Sequence, residues 1–90
     1  MKSRTTRRFR EALQTLPSEV RRRALAAYRL FSLDPRHPSL RFKKVHPTQP
    51  IYSVRITREY RVLGLLEGDT VVWFWIGSHE DYERLISEGG

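Results

Sequence analysis

The sequence predicts an α+β domain in which two N-terminal helices pack on a small antiparallel sheet and a short helix ends the chain. Two amphipathic segments come first, between Thr6 and Asp34. Three runs rich in β-branched and aromatic residues follow, separated by short turns. Helices that precede a meander of strands favour a layer of helices on one face of a sheet. With 90 residues, the chain has room for one such domain, spanning residues 1–90.

The first helix is predicted over Thr6 to Leu16, where apolar residues recur at helical spacing. Pro17 ends it and fits the first turn of a second helix, because proline lacks the N–H that this turn would leave unpaired. That second helix ends at Asp34-Pro35, since the residue before a proline is pushed out of the α region. A further strand is an open option at Lys2 to Thr5. The apolar stripe of the second helix comprises Val20, Ala24, Ala27 and Phe31.

Residues Asp34 to Pro50 are predicted to form a connector that prolines keep irregular. Within it, Leu40 and Phe42 alternate with Arg41 and Lys43. Side chains on a strand point alternately to opposite faces, so this alternation allows a short extended piece.

Three strands of a meander are predicted at Ile51–Ile56, Tyr60–Leu66 and Thr70–Ile76. The last two are joined through Gly68, which supplies the positive φ of a tight hairpin. A final short helix is expected over His79–Ser87, with an apolar side that packs on the domain.

The charge of the chain favours polyanionic partners. Seventeen Lys and Arg residues stand against ten Asp and Glu, a formal net charge of +7. A simpler alternative is that the excess only keeps the domain in solution. The lack of cysteine excludes disulfides and thiolate metal sites. No apolar run is long enough to span a membrane, and the first ten residues lack the apolar middle of a signal peptide, so we expect a cytoplasmic protein.

Three arginines, Arg55, Arg58 and Arg61, interrupt the apolar pattern of the first two meander strands and their turn. The apolar side of these strands must face the helices, and an unpaired arginine cannot be buried there. Arg61 is therefore expected to join Arg55 on the open face, where an anion could reach both. The alternative is that Arg61 lies at a strand edge and pairs with Glu59 or Glu67.

His79 follows the last strand and is a candidate for proton transfer near neutral pH. It is equally compatible with a plain polar residue at a helix N-terminus. Together with His37 and His46 it forms no metal-binding spacing, and no metal or cofactor is expected. Trp73 and Trp75 suit stacking on bases but also plain core packing, so neither is a candidate site residue.

These residues suffice for metal-independent cleavage of RNA through its own 2′-OH. That reaction needs a base for the 2′-OH proton, cations for the charged transition state and an acid for the leaving oxygen. We expect Arg61 and Arg55 to supply the cations and His79 to transfer a proton. Further RNA contacts, or a second proton donor, are expected from Lys43, Lys44, His46, Arg58 and Arg41.

Four fragments in this order resemble the RelE/ParE superfamily of type II toxins, in particular RelE-like cytotoxic translational repressors. They are Leu16-Pro17 between the helices, Asp34–Lys44, Tyr52–Val62 and Val72–Tyr82. The resemblance implies a twisted antiparallel sheet under two helices and a ribosome-dependent mRNA endoribonuclease. It also implies an antitoxin partner encoded by the adjacent gene, with the ribosome and mRNA as targets.

The resemblance places Arg61 at an arginine of the phosphate site, Arg55 near a strand lysine of some members and His79 near the residue of acid–base chemistry. The chain departs from members with a carboxylate base in the connector, since Pro38-Ser39-Leu40 offers none. Members with a catalytic C-terminal tyrosine have a longer tail, and Tyr82 is a substitute or a packing residue. Two alternatives remain: a ParE-like, non-enzymatic inhibitor of DNA gyrase, or an inactive domain of this fold that only binds.

Overall fold

The computed structural model describes residues 1–89 and consists of one five-stranded sheet and three helices. Between the second helix and the second strand, the connector contains one 3-10 turn, at Pro38–Leu40. The elements are β1 (Lys2–Thr5), α1 (Arg7–Gln14), α2 (Ser18–Leu33), β2 (Lys43–Lys44), β3 (Ile51–Arg55), β4 (Tyr60–Glu67), β5 (Thr70–Ser78) and α3 (His79–Gly89).

Both N-terminal helices form where the sequence predicts them. Thr6 caps α1, because its Oγ1 accepts a hydrogen bond from the backbone N–H of Phe9 at 3.1 Å. The helix α2 buries the Phe31 ring, which is 1% exposed and meets Trp73 edge-to-face at 5.1 Å between centroids. Trp73 is therefore a core residue.

The sheet has the strand order β1-β5-β4-β3-β2. The meander pairs β3–β4 and β4–β5 are antiparallel, as predicted. The short strand β2 of the connector also pairs antiparallel with β3, whereas β1 pairs with β5 in parallel. The expectation of a purely antiparallel sheet is thus corrected to a mixed one, and the optional strand at Lys2–Thr5 exists. A parallel pair needs a long connection across the sheet, and α1 and α2 begin that crossover.

The strand register separates an apolar face from a basic one. Val54 lies opposite Val62, and Val62 opposite Ile76; all three are buried in the core with residues of α1 and α2. Arg55 follows Val54 on β3 and Arg61 precedes Val62 on β4. These two arginines lie opposite each other, and their side chains point to the other face of the sheet. The α+β prediction, with the two N-terminal helices on one face of the sheet, is confirmed.

The short helix α3 returns over the basic face. It buries Tyr82, which is 4% exposed, and Leu85 and Ile86 line an apolar groove with Leu63 of β4. Phe74 of β5 lines the same groove, so part of the cover over this face of β5 comes from the chain itself. None of the helices in residues 1–89 is long and apolar enough to cross a membrane.

Candidate active site

An open groove of about 690 Å³ lies on the basic face, where the β3–β4 turn meets the start of α3. It brings together five residues that the sequence singled out from three separate segments. The lining residues are Arg41, Arg55, Arg58, Glu59, Arg61, His79 and Glu80. We refer to this space as the arginine groove.

The floor of the arginine groove is a cross-strand pair of like charges. Arg55 and Arg61 are Cα partners in the β3–β4 ladder, so both side chains leave the same face of the sheet. Among the side chains of residues 1–87, no carboxylate lies within 4.0 Å of either guanidinium. The alternative in which Arg61 pairs with Glu59 or Glu67 is therefore not what the structure contains.

Arg61 is held in place by carbonyl oxygens of the turn rather than by an acid. Its Nη1 donates to Thr57 O at 2.7 Å and to Tyr60 O at 3.1 Å. Partial burial lowers the pKa of Arg61, and the charges of Arg55 and Arg41 lower it further. Binding of an anion beside such a group is favourable, because the anion offsets both the repulsion between the like charges and the loss of hydration.

Removal of the Arg55 charge should therefore stabilise the fold while weakening anion binding. We expect Arg55→Gln to raise the free energy of unfolding by about 0.5 kcal/mol at low ionic strength, since like charges opposite each other in a sheet are unfavourable. Thermal unfolding in phosphate and in chloride at equal ionic strength measures both effects. Phosphate should raise the Tm of the wild type more than that of Arg55→Gln.

Arg22→Gln is the matched control for this experiment, because Arg22 lies on α2 and pairs with Glu19 at 3.2 Å. Its response to phosphate should equal that of the wild type. A loss of stability in Arg55→Gln together with an unchanged phosphate response would contradict the like-charge explanation.

His79 stands at the wall of the arginine groove, at the first position of α3. Ser78 caps this helix by accepting the backbone N–H of Asp81 at 3.0 Å, and the His79 N–H donates to the Glu59 carbonyl. The imidazole Nε2 lies 3.1 Å from Oε1 of Glu83, one turn further along. The two backbone hydrogen bonds fix the start of α3 beside the arginine groove, and the Glu83 carboxylate lies close to the ring.

Arg41 reaches the groove through an unusual backbone conformation. It follows the 3-10 turn of the connector with φ 48° and ψ 45°, in the left-handed region. In residues 1–89 it is the one non-glycine residue with positive φ. Such a conformation costs about 1 kcal/mol for a residue with a Cβ, and strained residues concentrate at functional sites.

Lys43 and Lys44 lie outside the arginine groove, in a second, adjoining groove that shares Arg41 with it. They form the short edge strand β2, and both are exposed. We name this space, which also holds Arg36 and His37, the connector groove. Its lining contains no acidic residue, and Phe42 stacks on Tyr52 at 4.8 Å at its base.

His46 is not brought to either basic groove. Its Nδ1 accepts backbone N–H groups of Thr48 and Gln49, at 3.2 and 2.9 Å, which stabilises the loop before β3. The ring lines the apolar groove beside α3 instead. A role for His46 as the second proton donor finds no support in this geometry.

Glu83 is the residue that the sequence reasoning missed. The signal was available, because His79 and Glu83 are four apart in a predicted helix, and such residues are neighbours on its surface. In residues 1–89, no group of three or more His, Asp or Glu side chains is arranged to hold a metal ion.

A family model described as the ParE-like toxin domain matches residues 18–84. This range includes α2, the connector, the meander and most of α3, hence every residue of both basic grooves except Met1 at the edge of the connector groove. Among curated proteins, no match to the chain was found.

Solved structures of toxin complexes share the fold over nearly their whole length. The RelB-RelE complex from Methanococcus jannaschii matches with a TM-score of 0.74 and 17% identity, covering 91% of this chain and 96% of that one. The archaeal RelE-RelB complex from Pyrococcus horikoshii OT3 matches with a TM-score of 0.69 and 20% identity, covering 86% of this chain and 92% of that one. RelBE2 from Mycobacterium tuberculosis has 26% identity and a TM-score of 0.58, covering 87% and 96%.

Proposed function

Because this chain belongs to the ParE-like toxin domain family, within the RelE/ParE superfamily of toxins, we propose that it is an endoribonuclease that cleaves mRNA on the ribosome. The observation that carries the proposal is the arginine groove, where two facing arginines without acidic partners lie next to a histidine. Such a toxin would act in the cytoplasm, where ribosomes translate.

The groove offers electrostatic stabilisation for a reacting phosphate. Cleavage through the 2′-OH places additional negative charge on the phosphate oxygens, and guanidinium groups bind these oxygens with two parallel hydrogen bonds. Arg61 is preorganised by its bonds to the turn carbonyls, so little reorganisation is needed when charge develops. Arg55 and Arg41 add positive charge to the same groove.

His79 is the group in this groove that can accept the 2′-OH proton near neutral pH. The connector supplies no carboxylate to the arginine groove, and the two acids that line it, Glu59 and Glu80, are exposed. We therefore assign proton abstraction to His79 and charge stabilisation to Arg61.

The connector groove suits the phosphate backbone beyond the cleaved bond. Lys43 and Lys44 are exposed, and no carboxylate of residues 1–87 lies within 4.0 Å of either. We expect Lys43→Gln/Lys44→Gln to weaken binding of a labelled single-stranded RNA. The slope of log K against log salt should fall by about 1.4, since each lost phosphate contact on a single strand removes ~0.7.

The matched control is Arg22→Gln/Arg23→Gln. It also removes two positive charges, but from α2, where both arginines pair with Glu19. This variant should leave the salt slope close to that of the wild type. Equal slopes for both double variants would mean that only net charge matters and that the connector groove is not a binding site.

An antitoxin is the expected protein partner. Two of the similar structures are named as toxin–antitoxin complexes, of RelB-RelE and of RelBE2, and a third is named as a RelE-RelB complex. We propose that an acidic, amphipathic segment of an antitoxin from the adjacent gene covers the basic face of this chain. If the adjacent gene product neither co-purifies with this chain nor prevents its toxicity, this part of the proposal is wrong.

The test of the function is induced expression in a bacterial host, with mapping of mRNA 5′ ends. New ends at in-frame positions of translated messages would support the nuclease. The family description names ParE, and growth arrest with intact mRNA and a double-strand DNA damage response would favour the ParE-like action on gyrase instead. Expression without growth arrest would indicate an inactive domain of this fold that only binds.

A further inference from the structure

Four aromatic rings form a row that leads from the buried core to the connector groove. Trp73 and Phe31 meet edge-to-face at 5.1 Å between centroids, and Phe31 and Phe42 do so at 5.0 Å. Phe42 then stacks on Tyr52 at 4.8 Å, with 22° between the ring planes. The first two rings are buried, whereas the last two are half-buried and line the groove. Tyr52 is therefore the outer ring of the row, and packing against the core holds it in place.

The side chains around Tyr52 carry positive charge. Lys44 is its Cα partner on β2, so the two side chains leave the same face of the sheet as neighbours. The other Lys and Arg residues of this groove, Arg36, Arg41 and Lys43, are exposed. No carboxylate of residues 1–87 lies within 4.0 Å of any of these four cations. The groove thus presents an aromatic ring among cations that no acidic side chain of this range neutralises.

We infer that the connector groove binds an unpaired nucleobase of RNA, which stacks on Tyr52 while the adjoining phosphate lies against Lys44. Aromatic side chains in a positively charged groove are the usual platform for the bases of a single strand. A base inside a duplex is already stacked on both sides, so only an unpaired base can reach the ring. The groove measures about 600 Å³, within the range of sites that hold small organic ligands.

Arg41 connects this base site to the proposed cleavage site, because it lines both the connector groove and the arginine groove. A strand whose reacting phosphate lies beside Arg61 can therefore continue past Arg41 and place a neighbouring base on Tyr52. This placement rests on the proposed function, although binding of a base to the groove can be measured without it. Stacking tolerates every base, so Tyr52 is expected to add affinity for the message and not a codon preference.

Two RNA-like hexamers of equal length and charge test the inference without any cleavage. One is hexaadenylate methylated at every 2′ oxygen, which cannot be cut through a 2′-OH, and the other is built from abasic residues. Tyr52→Leu should weaken binding of the hexaadenylate by about tenfold and that of the abasic hexamer by less than about twofold, because only the first has bases to stack. Tyr52→Phe, which keeps a ring, should bind both as the wild type does.

Two controls separate stacking from charge and from the mere loss of a tyrosine. Lys43→Gln/Lys44→Gln should weaken both hexamers by the same factor, because both contain the phosphates. Tyr28→Leu should bind both as the wild type does, since Tyr28 lies on α2, is 38% exposed and lines neither basic groove.

NMR of the intact wild type gives a readout that needs no variant. The ring protons of Tyr52 should move upfield when hexaadenylate binds, because a stacked base shields them, and should not do so with the abasic hexamer. An equal loss of both hexamers in Tyr52→Leu, or no upfield shift, overturns the inference. Binding of an acidic antitoxin peptide but of neither hexamer would assign the groove to a protein partner and would also overturn it.

On programmed ribosomes, Tyr52→Leu should raise KM by about tenfold and change kcat by less than about twofold, because the ring holds the message before and during the reaction alike. An unchanged KM would overturn the placement of the message on Tyr52. The two proposals can fail separately. Base-dependent binding by a chain that does not cleave mRNA removes the proposed function and keeps the base site, whereas cleavage by a chain that binds both hexamers equally keeps the nuclease and removes the base site.

Discussion

Replacement of Arg61 by alanine is expected to abolish growth arrest and to lower mRNA cleavage on the ribosome by about 10²- to 10³-fold, the usual cost of losing one preorganised donor to a transition-state charge. Arg61 lines the arginine groove and is fixed by the carbonyl oxygens of Thr57 and Tyr60. No neighbouring side chain has the same support from the turn, so Arg55 cannot replace it.

Arg61→Lys separates charge from geometry in the same assay. Lysine keeps the positive charge but lacks the planar fork that binds two phosphate oxygens, so we expect partial activity, roughly tenfold below the wild type. The readouts are growth after induction and the abundance of new mRNA 5′ ends.

Two further variants define the limits of this prediction. His79→Ala should lose cleavage to a similar extent, because the base is removed. Arg22→Ala, which removes an arginine paired with Glu19 on α2, should behave as the wild type. If Arg61→Ala and His79→Ala both fold, bind ribosomes and still produce new 5′ ends, the nuclease site lies elsewhere.

Replacement of Gly64 by alanine is expected to cause the largest loss of stability, about 3 kcal/mol. A Cβ at this position would lie 2.5 Å from Cε3 of Trp73 and 2.5 Å from Cγ1 of Val71. Both side chains are buried, with 4% and 0% exposure, so neither can move aside without disturbing the core under α1 and α2. Chemical denaturation measures the loss, and the Tm should fall by roughly 10–20 °C.

The position of Gly64 also explains the break in strand register. Leu63 lies opposite Trp75 and Gly64 opposite Trp73, so Phe74 is an extra residue on β5. The bulge lets the Trp73 indole lie close over the glycine backbone. A side chain at position 64 would oppose both the bulge and the packing.

Gly68→Ala is the matched glycine control. Gly68 has φ +62° in the β4–β5 turn, and a Cβ added there would meet no atom within 4 Å, so alanine costs only the left-handed strain of about 1 kcal/mol. If Gly64→Ala were no more destabilising than Gly68→Ala, the close approach of Trp73 would not limit stability.

Much of the candidate site was predictable from local pattern. The period of two along β3 and β4 placed Arg55 and Arg61 on one face, because apolar residues at alternate positions had to face the helices. The short turn at Thr57–Glu59 then fixed the register that makes these arginines partners. Ser78 and His79 could be placed at a helix start, since a serine after a strand is a common cap.

Contacts between distant segments were not predictable in the same way. Arg41 lines the arginine groove because its own backbone adopts the left-handed conformation. The prolines of the connector indicate an irregular backbone but do not tell which direction it takes. His46, which the sequence grouped with Lys43 and Lys44, instead faces the apolar groove beside α3. Loop side chains follow no period, so the groove that a loop residue faces cannot be read from its position in the sequence.

The sequence by itself determined the fold class, the basic character of one sheet face and the cations that line it, since these follow from periodicity, burial and charge. Only the tertiary structure decided that β1 joins β5 in parallel and that Arg41 lines the same groove as Arg61 and His79. Periodicity acts within an element, whereas these contacts depend on how elements are placed in space, and that placement is set by the packing of the whole core.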